Sequence, residues 1–203
     1  GFGDSSLPNG VSDADGLVPY LAEILKRSFA GEAVDVVGFS FGGMTAGLVA
    51  AEHPELIRRL VLVGAPGLGL FGKALPMRGM MPNMDEAAQR DVHRHNLNAM
   101  MLAYPNSVTE DVIDIQQTNV ARDRLRRRRI ARTNVLAKVQ SKWTCPVHGV
   151  WGEFDALYQG TLMQVPQVLT CMKTFNVVRD AGHWVMYERP DDFHVVIDEL
   201  LQH

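Results

Sequence analysis

A serine between small residues stands in the segment G-F-S-F-G (38–42), directly after a β-branched apolar run and directly before a helical pattern. A serine in a tight strand-to-helix turn exposes its hydroxyl and can act as a nucleophile. The N-terminus of the following helix would stabilise an oxyanion formed on attack, with the backbone N–H of Phe41 as one donor. We therefore expect Ser40 to attack a carbonyl carbon.

The glycines around Ser40 are expected to make this turn possible. Gly38 and Gly42 would leave room for the turn to close, and Gly43 and Gly47 would let the helix pack tightly on a sheet. The alternative is an ordinary glycine-rich turn that carries a solvated serine.

A base must accompany Ser40, because a hydroxyl is a poor nucleophile until its proton is removed. Of the seven histidines, only His183 lies in a loop just after a predicted strand, at the sheet edge where α/β sites assemble. The alternative for His183 is a structural role in its loop. His148 lies inside a predicted strand and is expected to pack in the core. The other five lie in helices, in a helical insert or at the end of the chain: His53, His93, His95, His194 and His203.

The base in turn needs a carboxylate that fixes its tautomer and stabilises its charged form. Asp155, in the segment W-G-E-F-D (151–155), follows the strand before the one that leads to His183. Glu153 is the rival, and we interpret it as a turn residue. The chain order serine, aspartate, histidine is one in which such triads occur. Phe39 and Trp184, the neighbours of the nucleophile and the base, are expected to contact substrate.

Strands and helices alternate along the chain that positions these residues. Apolar spacing predicts helices over 14–28 and 41–53, near 160–169, where Pro166 would break or kink the helix, and from Pro190 onward. Short apolar or β-branched runs predict strands at 33–37, 59–63, 147–151 and 174–178. Such alternation implies an α/β fold, with a mostly parallel sheet covered by helices.

Residues 68–142 have a different composition, rich in Met and Arg and without a convincing strand. Ser107 with Glu110 resembles a capping box and predicts a helix that turns Val112, Ile113 and Ile115 inward. We interpret 68–142 as an inserted helical lid, and 1–67 with 143–203 as the core. A flexible apolar lid and plain packing would both account for the methionines.

Seven arginines lie close together in this insert, and three hypotheses compete for them. They form a solvated face, or one of them reaches the pocket and pairs with a substrate carboxylate, or they bind nucleic acid. The last is disfavoured because the rest of the chain is not basic. The arginines are Arg122, Arg124, Arg126, Arg127, Arg128, Arg129 and Arg132.

The bulk properties fit one globular unit that acts on a small molecule. The chain has 203 residues, a net charge of −3 and 46% hydrophobic residues, so nothing draws it as a whole to nucleic acid or to anionic membranes. No apolar run reaches the about 18 residues of a membrane span. Cys145 and Cys171 are expected to be free thiols in a reducing cytoplasm. The chemistry needs no metal or cofactor, and a homo-oligomer is compatible with the sequence.

The chain resembles the α/β-hydrolase fold superfamily along its whole length. Within it, the chain is most similar to the meta-cleavage-product C–C hydrolases and related carboxylesterases. The resemblance implies a three-layer fold and either ester hydrolysis or C–C cleavage of a vinylogous diketone, whose dienoate substrates carry a carboxylate. A serine at position 40 argues against epoxide hydrolases and haloalkane dehalogenases, which are expected to have aspartate there. The matching segments are G-F-G-D-S-S, G-F-S-F-G-G, R-L-V-L-V-G-A-P-G, W-G-E-F-D, A-G-H-W-V-M-Y-E-R-P and the insert segment Y-P-N-S-V-T-E.

The departure from this family lies at the front of the chain. There G-F-G-D-S-S normally follows a fourth strand and an H-G loop that supplies the second oxyanion donor, and no such loop precedes Ser40. We therefore expect a chain without the first strands, whose strand at 33–37 is an exposed apolar edge. Acyl transfer by the same residues and a non-catalytic, ligand-binding role remain as alternatives to hydrolysis.

Overall fold

Four parallel strands form one sheet in the computed structural model, which describes residues 1–70, 72–125 and 127–202. The spatial order is the chain order, with Val36 beside Leu60 at the first pairing and Trp151 beside Val177 at the last. All four predicted strands are confirmed, and the first two each extend two residues beyond the prediction. They are β1 (Val34–Phe39), β2 (Ile57–Val63), β3 (Val147–Gly152) and β4 (Thr174–Val178).

Helices lie between and beyond the strands. The α-helices are α1 (Val18–Ser28), α2 (Phe41–Glu52), α3 (Glu86–Asn96), α4 (Glu110–Ala121), α5 (Val135–Val139), α6 (Val165–Val168), α7 (Val185–Glu188) and α8 (Pro190–Gln202). Short 3-10 turns span Ala14–Leu17, Pro54–Leu56, Pro105–Ser107, Ile130–Arg132, Gln140–Lys142, Ala156–Tyr158 and Leu162–Gln164, and a π-helical turn spans Leu97–Met101.

The sheet is the middle of three layers, and β2 shows why. Leu60 and Leu62 point into the core on the side of α1, α2 and α5, whereas Val61 and Val63 point into the core on the side of α7 and α8. Alternate residues of a strand face opposite sides, so a strand buried on both faces must be apolar throughout. The three-layer α/β fold predicted from the sequence is confirmed.

The described residues of 68–142 contain helices and irregular chain, and none of them is in a strand. Their own apolar cluster includes Leu97, Val112 and Ile113. The prediction for Ile115 was wrong: it is 45% exposed, because it lies on the outer face of α4. The cap was also misplaced by two residues, since the Thr109 hydroxyl, rather than Ser107, accepts the N–H of Val112.

Two further local predictions need correction or comment. Pro166 does not kink a long helix; it lies in the first turn of the four-residue α6, where a missing N–H costs nothing. His148 is not fully packed in the core, since it is half-buried and its Nδ1 lies 2.9 Å from Thr174 Oγ1.

β1 lies at one edge of the sheet and pairs with β2 alone among the described strands. Val37 of β1 is 43% exposed, which is the apolar edge that the sequence predicts. Cys145 and Cys171 are free and half-buried, and burial raises the pKa of both thiols. Within the described ranges, we find no helix with the length and apolarity that crossing a bilayer requires.

Candidate active site

The strand-to-helix turn is present where the sequence predicts it. β1 ends at Phe39, α2 begins at Phe41, and Ser40 between them has φ 51° and ψ −124°. A non-glycine residue at positive φ is strained, and such strain collects at functional sites. The backbone N–H of Ser40 donates to the Val63 carbonyl at 2.7 Å, which anchors the turn to the end of β2.

The glycines around this turn are not equivalent. A Cβ on Gly38 would lie 2.6 Å from the Cα of Gly43, and a Cβ on Gly43 would lie 2.5 Å from the Gly38 carbonyl oxygen, so strand and helix touch at these two residues. A Cβ on Gly42 would meet nothing within 4 Å, so the expectation that Gly42 closes the turn was wrong. Gly47 packs on Leu136 and Trp143 rather than on the sheet.

The three residues proposed from spacing meet at the carboxyl ends of the strands. Ser40 Oγ lies 2.8 Å from His183 Nε2, and His183 Nδ1 lies 2.8 Å from Asp155 Oδ2. The imidazole therefore contacts the hydroxyl with one nitrogen and the carboxylate with the other. His183 and Asp155 are both at least 98% buried, so water does not compete for this contact.

Asp155 is fixed by more than the imidazole. Its other oxygen, Oδ1, accepts the N–H of Leu157 at 3.0 Å, where it caps a short 3-10 turn. Glu153 is exposed, and its carboxylate instead accepts the N–H of Asp180 at 3.2 Å. The geometry thus brings Asp155 and not Glu153 to the imidazole of His183.

Gly64, which follows β2, is a site residue that the sequence analysis did not identify. Its φ is +55°, and a Cβ there would lie 3.1 Å from His183 Nδ1 and 3.2 Å from Asp155 Oδ2. Only a glycine leaves the space in which these two groups meet. The signal was available, since the G in R-L-V-L-V-G-A-P-G directly follows a predicted buried strand.

The loop that carries His183 packs closely on the end of β3. A Cβ on Gly152 would lie 2.0 Å from the Gly182 carbonyl oxygen, so the two backbones are in direct contact. Beneath the site, the buried Tyr158 donates its hydroxyl to the Ala65 carbonyl. Burial raises the pKa of Tyr158, and the nearby Asp155 carboxylate adds to the shift.

The remaining predicted site residues lie around the Ser40–His183 pair. No side chain caps the first turn of α2, so the Phe41 N–H is not taken up by a cap. The Phe39 ring lies 5.0 Å from the His183 ring, and the half-buried Trp184 packs on the apolar cluster of the insert. Substrate contact by Phe39 and Trp184 stays a prediction.

Arg128 of the insert lies close to Phe41, the residue next to Ser40. The Arg128 guanidinium lies 5.3 Å from the Phe41 ring centre and 5.6 Å from that of Phe2, and it also pairs with Asp123. Arg126 lies outside the described residues. Arg128 also lines a cavity of about 360 Å³ together with Asp123, Leu125, Arg127, Arg129 and Arg132.

Of the histidines in the described part of the chain, His183 alone belongs to this site. His93 and His95 lie in α3 of the insert, and His203 lies outside the described residues. Across 1–70, 72–125 and 127–202 there is no cluster of three or more His, Cys, Asp or Glu side chains that could hold a metal ion.

A comparison with models of protein families agrees with the observed fold and with the strand-to-helix turn at Ser40. The model described as "Alpha/beta hydrolase family" matches residues 1–195. The chain belongs to the alpha/beta hydrolase family. Its named relatives are hydrolases and esterases, and this family member is a hydrolase.

Three individual similarities illustrate the range within the family. A 2-hydroxy-6-oxononadienedioate/2-hydroxy-6-oxononatrienedioate hydrolase from Pseudomonas sp is 22% identical, over 98% of this chain and 73% of the relative. A 2-hydroxy-6-oxo-6-(2'-aminophenyl)hexa-2,4-dienoic acid hydrolase from Metapseudomonas resinovorans is 24% identical, over 95% and 68%. The crystal structure of a putative aryl esterase from Burkholderia cenocepacia superposes with a TM-score of 0.77 at 20% identity, over 100% of this chain and 76% of that one.

Proposed function

We propose that this hydrolase cleaves carboxylic esters of small, partly apolar substrates through Ser40, His183 and Asp155. The observation that carries the proposal is the unbroken series of contacts from Ser40 Oγ to His183 Nε2 and from His183 Nδ1 to Asp155 Oδ2, each 2.8 Å long. These distances are those of hydrogen bonds through which a proton can move.

The proposed reaction follows from the two faces of the imidazole. His183 Nε2 accepts the hydroxyl proton as Ser40 Oγ forms a bond to the ester carbonyl carbon. The resulting oxyanion lies at the N-terminus of α2, where the Phe41 N–H donates to it. His183 then gives the proton to the departing alkoxide, and a water molecule activated by the same imidazole hydrolyses the acyl-enzyme. Asp155 keeps Nδ1 protonated throughout, so that Nε2 is the acceptor.

Residues 68–142 are proposed to cover this site as a lid. The support is that the apolar cluster of the insert packs on Trp184, the residue next to the base. A cover of apolar side chains would exclude water and favour an apolar substrate arm.

A second candidate is C–C bond hydrolysis of a 2-hydroxy-6-oxo-dienoate. Two observations favour it. The relatives from Pseudomonas sp and Metapseudomonas resinovorans are named as hydrolases of such compounds, and Arg128 lies beside Phe41. An arginine there would pair with the carboxylate of a dienoate, since guanidinium binds carboxylate in a bidentate manner. The chemistry at Ser40 and His183 would use the same two groups.

A fluorophosphonate probe tests the part that both candidates share. Intact-mass measurement should find one adduct on the wild-type chain and none on Ser40→Ala. An unlabelled wild-type chain, folded by circular dichroism, would count against a nucleophilic Ser40.

A substrate panel then separates the two candidates. Turnover of aryl esters without turnover of a dienoate would exclude the C–C reaction, and the opposite result would exclude the ester reaction. Arg128→Ala should raise the KM of a dienoate by about 10-fold, as expected for loss of one charged hydrogen-bonding pair, and leave that of a neutral ester unchanged. Arg122→Ala is the matched control, since Arg122 pairs with the exposed Asp4.

A further inference from the structure

A second carboxylate, outside the three proposed catalytic residues, holds the backbone of the loop that carries His183 and the backbone of a segment of the insert. Glu188 Oε2 accepts the N–H of Gly182 at 2.6 Å, one residue before His183. Its two oxygens also accept the N–H of Ala103 at 2.9 and 3.0 Å, and Oε1 accepts the N–H of Tyr104 at 3.1 Å. One side chain thus joins the base loop to a segment of the insert.

Two more hydrogen bonds join the same two segments. The N–H of Trp184 donates to the Met101 carbonyl at 2.8 Å, and the Tyr104 hydroxyl donates to Asp180 Oδ1 at 3.0 Å. The segments are also in van der Waals contact, since a Cβ on Gly182 would lie 2.7 Å from the Ala103 nitrogen. Residues 101–104 therefore pack along the loop 180–184, which carries His183, and are hydrogen-bonded to it.

We infer that Glu188 is a positioning residue for His183. It makes the alignment of His183 depend on the position of residues 101–104 of the insert. The inference rests on the proposed function of His183. Hydrogen bonds from N–H groups to a carboxylate are about twice as strong as neutral ones, so three of them hold Gly182, Ala103 and Tyr104 firmly. If the 101–104 segment moved away, Glu188 would keep one of its three donors, and Gly182 would lose its fixed support.

The carboxylate itself is required, because Oε2 accepts the N–H groups of Gly182 and Ala103 while Oε1 accepts those of Ala103 and Tyr104. A glutamine has nearly the same shape but only one acceptor oxygen, and its NH2 group would face an N–H donor. Glu188→Gln can therefore hold Gly182 or Tyr104, but not both at once. The substitution weakens the connection without creating a cavity.

The experiment compares three variants with the wild-type chain in the rate of fluorophosphonate labelling of Ser40. Glu188→Gln weakens the connection, because one of the two acceptor oxygens is replaced by an NH2 group. Glu199→Gln makes the same chemical change on the exposed side of α8. Val112→Ala destabilises the insert through its buried core and leaves the Glu188 hydrogen bonds intact. Amide hydrogen exchange of 101–104 and 181–184 is measured on all four proteins.

We expect Glu188→Gln to label about 10-fold more slowly, since a small displacement of a catalytic group has an effect of this order or larger. Glu199→Gln and Val112→Ala should label near the wild-type rate, and faster exchange should occur in Glu188→Gln in one or both segments. An unchanged labelling rate in Glu188→Gln, or an equal slowing in Val112→Ala without faster exchange of 101–104, would overturn the inference.

Failure of the proposed function has a different signature. If the wild-type chain did not label at all, the proposal for Ser40 would fail. Hydrogen exchange alone would then test whether Glu188 connects 101–104 to the loop that carries His183. Unchanged exchange of both segments in Glu188→Gln would then refute it, and faster exchange would support it.

Discussion

Gly64 lies directly against the imidazole of His183, so close that a Cβ there would be 3.1 Å from both Nδ1 and Cε1. The same Cβ would be 3.2 Å from Asp155 Oδ2. The turn after β2 thus lies against the imidazole and the carboxylate at the point where they meet. A residue with no functional group of its own contacts both.

Gly64→Ala should therefore impair catalysis more than folding. The added methyl group pushes on the His183–Asp155 contact, and we expect kcat for a reactive ester to fall by about 10- to 100-fold with a small change in KM. Alanine at positive φ should also lower the free energy of unfolding by about 1 kcal/mol. Steady-state kinetics and urea unfolding measure the two effects.

Gly31→Ala is the control for Gly64→Ala. Gly31 also has a positive φ, +82°, but a Cβ there would meet nothing within 4 Å. It should lose similar stability and keep its kcat. Equal kinetic losses in the two variants would mean that backbone strain, and not contact with the imidazole, explains the effect.

Asp155→Asn tests which carboxylate serves the base. The amide can still contact Nδ1, but it no longer favours the tautomer with a proton there, so kcat should fall by about 10⁴-fold. Glu153→Gln should stay near wild-type activity, because the Glu153 carboxylate accepts the N–H of Asp180 and does not contact His183. The reverse ranking of the two variants, measured as kcat with an aryl ester, would assign the role to Glu153.

The two motif glycines nearest to Ser40 should respond in opposite ways. Gly38→Ala places a Cβ 2.6 Å from the Cα of Gly43 and should cost about 3 kcal/mol or prevent folding, as overpacking against backbone does. Gly42→Ala meets no atom and lies in a helix, where alanine is favoured by about 1 kcal/mol. Thermal unfolding of both variants gives the answer; equal destabilisation would contradict the packing described for this turn.

His93 makes the stability of the insert depend on pH. It is 4% exposed, and burial lowers its pKa below the ordinary value of 6.5, with a further lowering from Arg90. The unfolded chain therefore binds the proton more readily than the folded chain. The stability conferred by neutral His93 is complete above that ordinary value and is lost as the pH falls through the lowered pKa.

His93→Gln should accordingly reduce the loss of Tm between about pH 8 and about pH 5, the range in which histidines titrate. His148, whose pKa is also lowered by burial and by Arg59 and Lys173, should keep part of that loss. His194→Gln, at an exposed site on α8, is the control and should change little. An identical pH dependence of Tm in His93→Gln and the wild-type chain would exclude His93 as a source of the loss of stability at low pH.

The fold class and the three residues that meet at the site could be predicted from the sequence alone. β2 is apolar at successive positions because both of its faces are covered, and that pattern is legible without coordinates. Ser40, Asp155 and His183 each follow a predicted strand, and parallel strands bring their carboxyl ends to one edge. Such signals are local, so a single sequence carries them.

The surroundings of those three residues could not be predicted from the sequence and are known from the three-dimensional packing. Gly42 and Gly38 look alike in the motif, yet only Gly38 touches another backbone. Gly64 and Glu188 act on His183 from 119 and 5 positions away in the chain, through the packing of turns whose approach no periodicity encodes. Contacts between segments distant in sequence depend on the full set of packing distances, and these exist only once the layers have assembled.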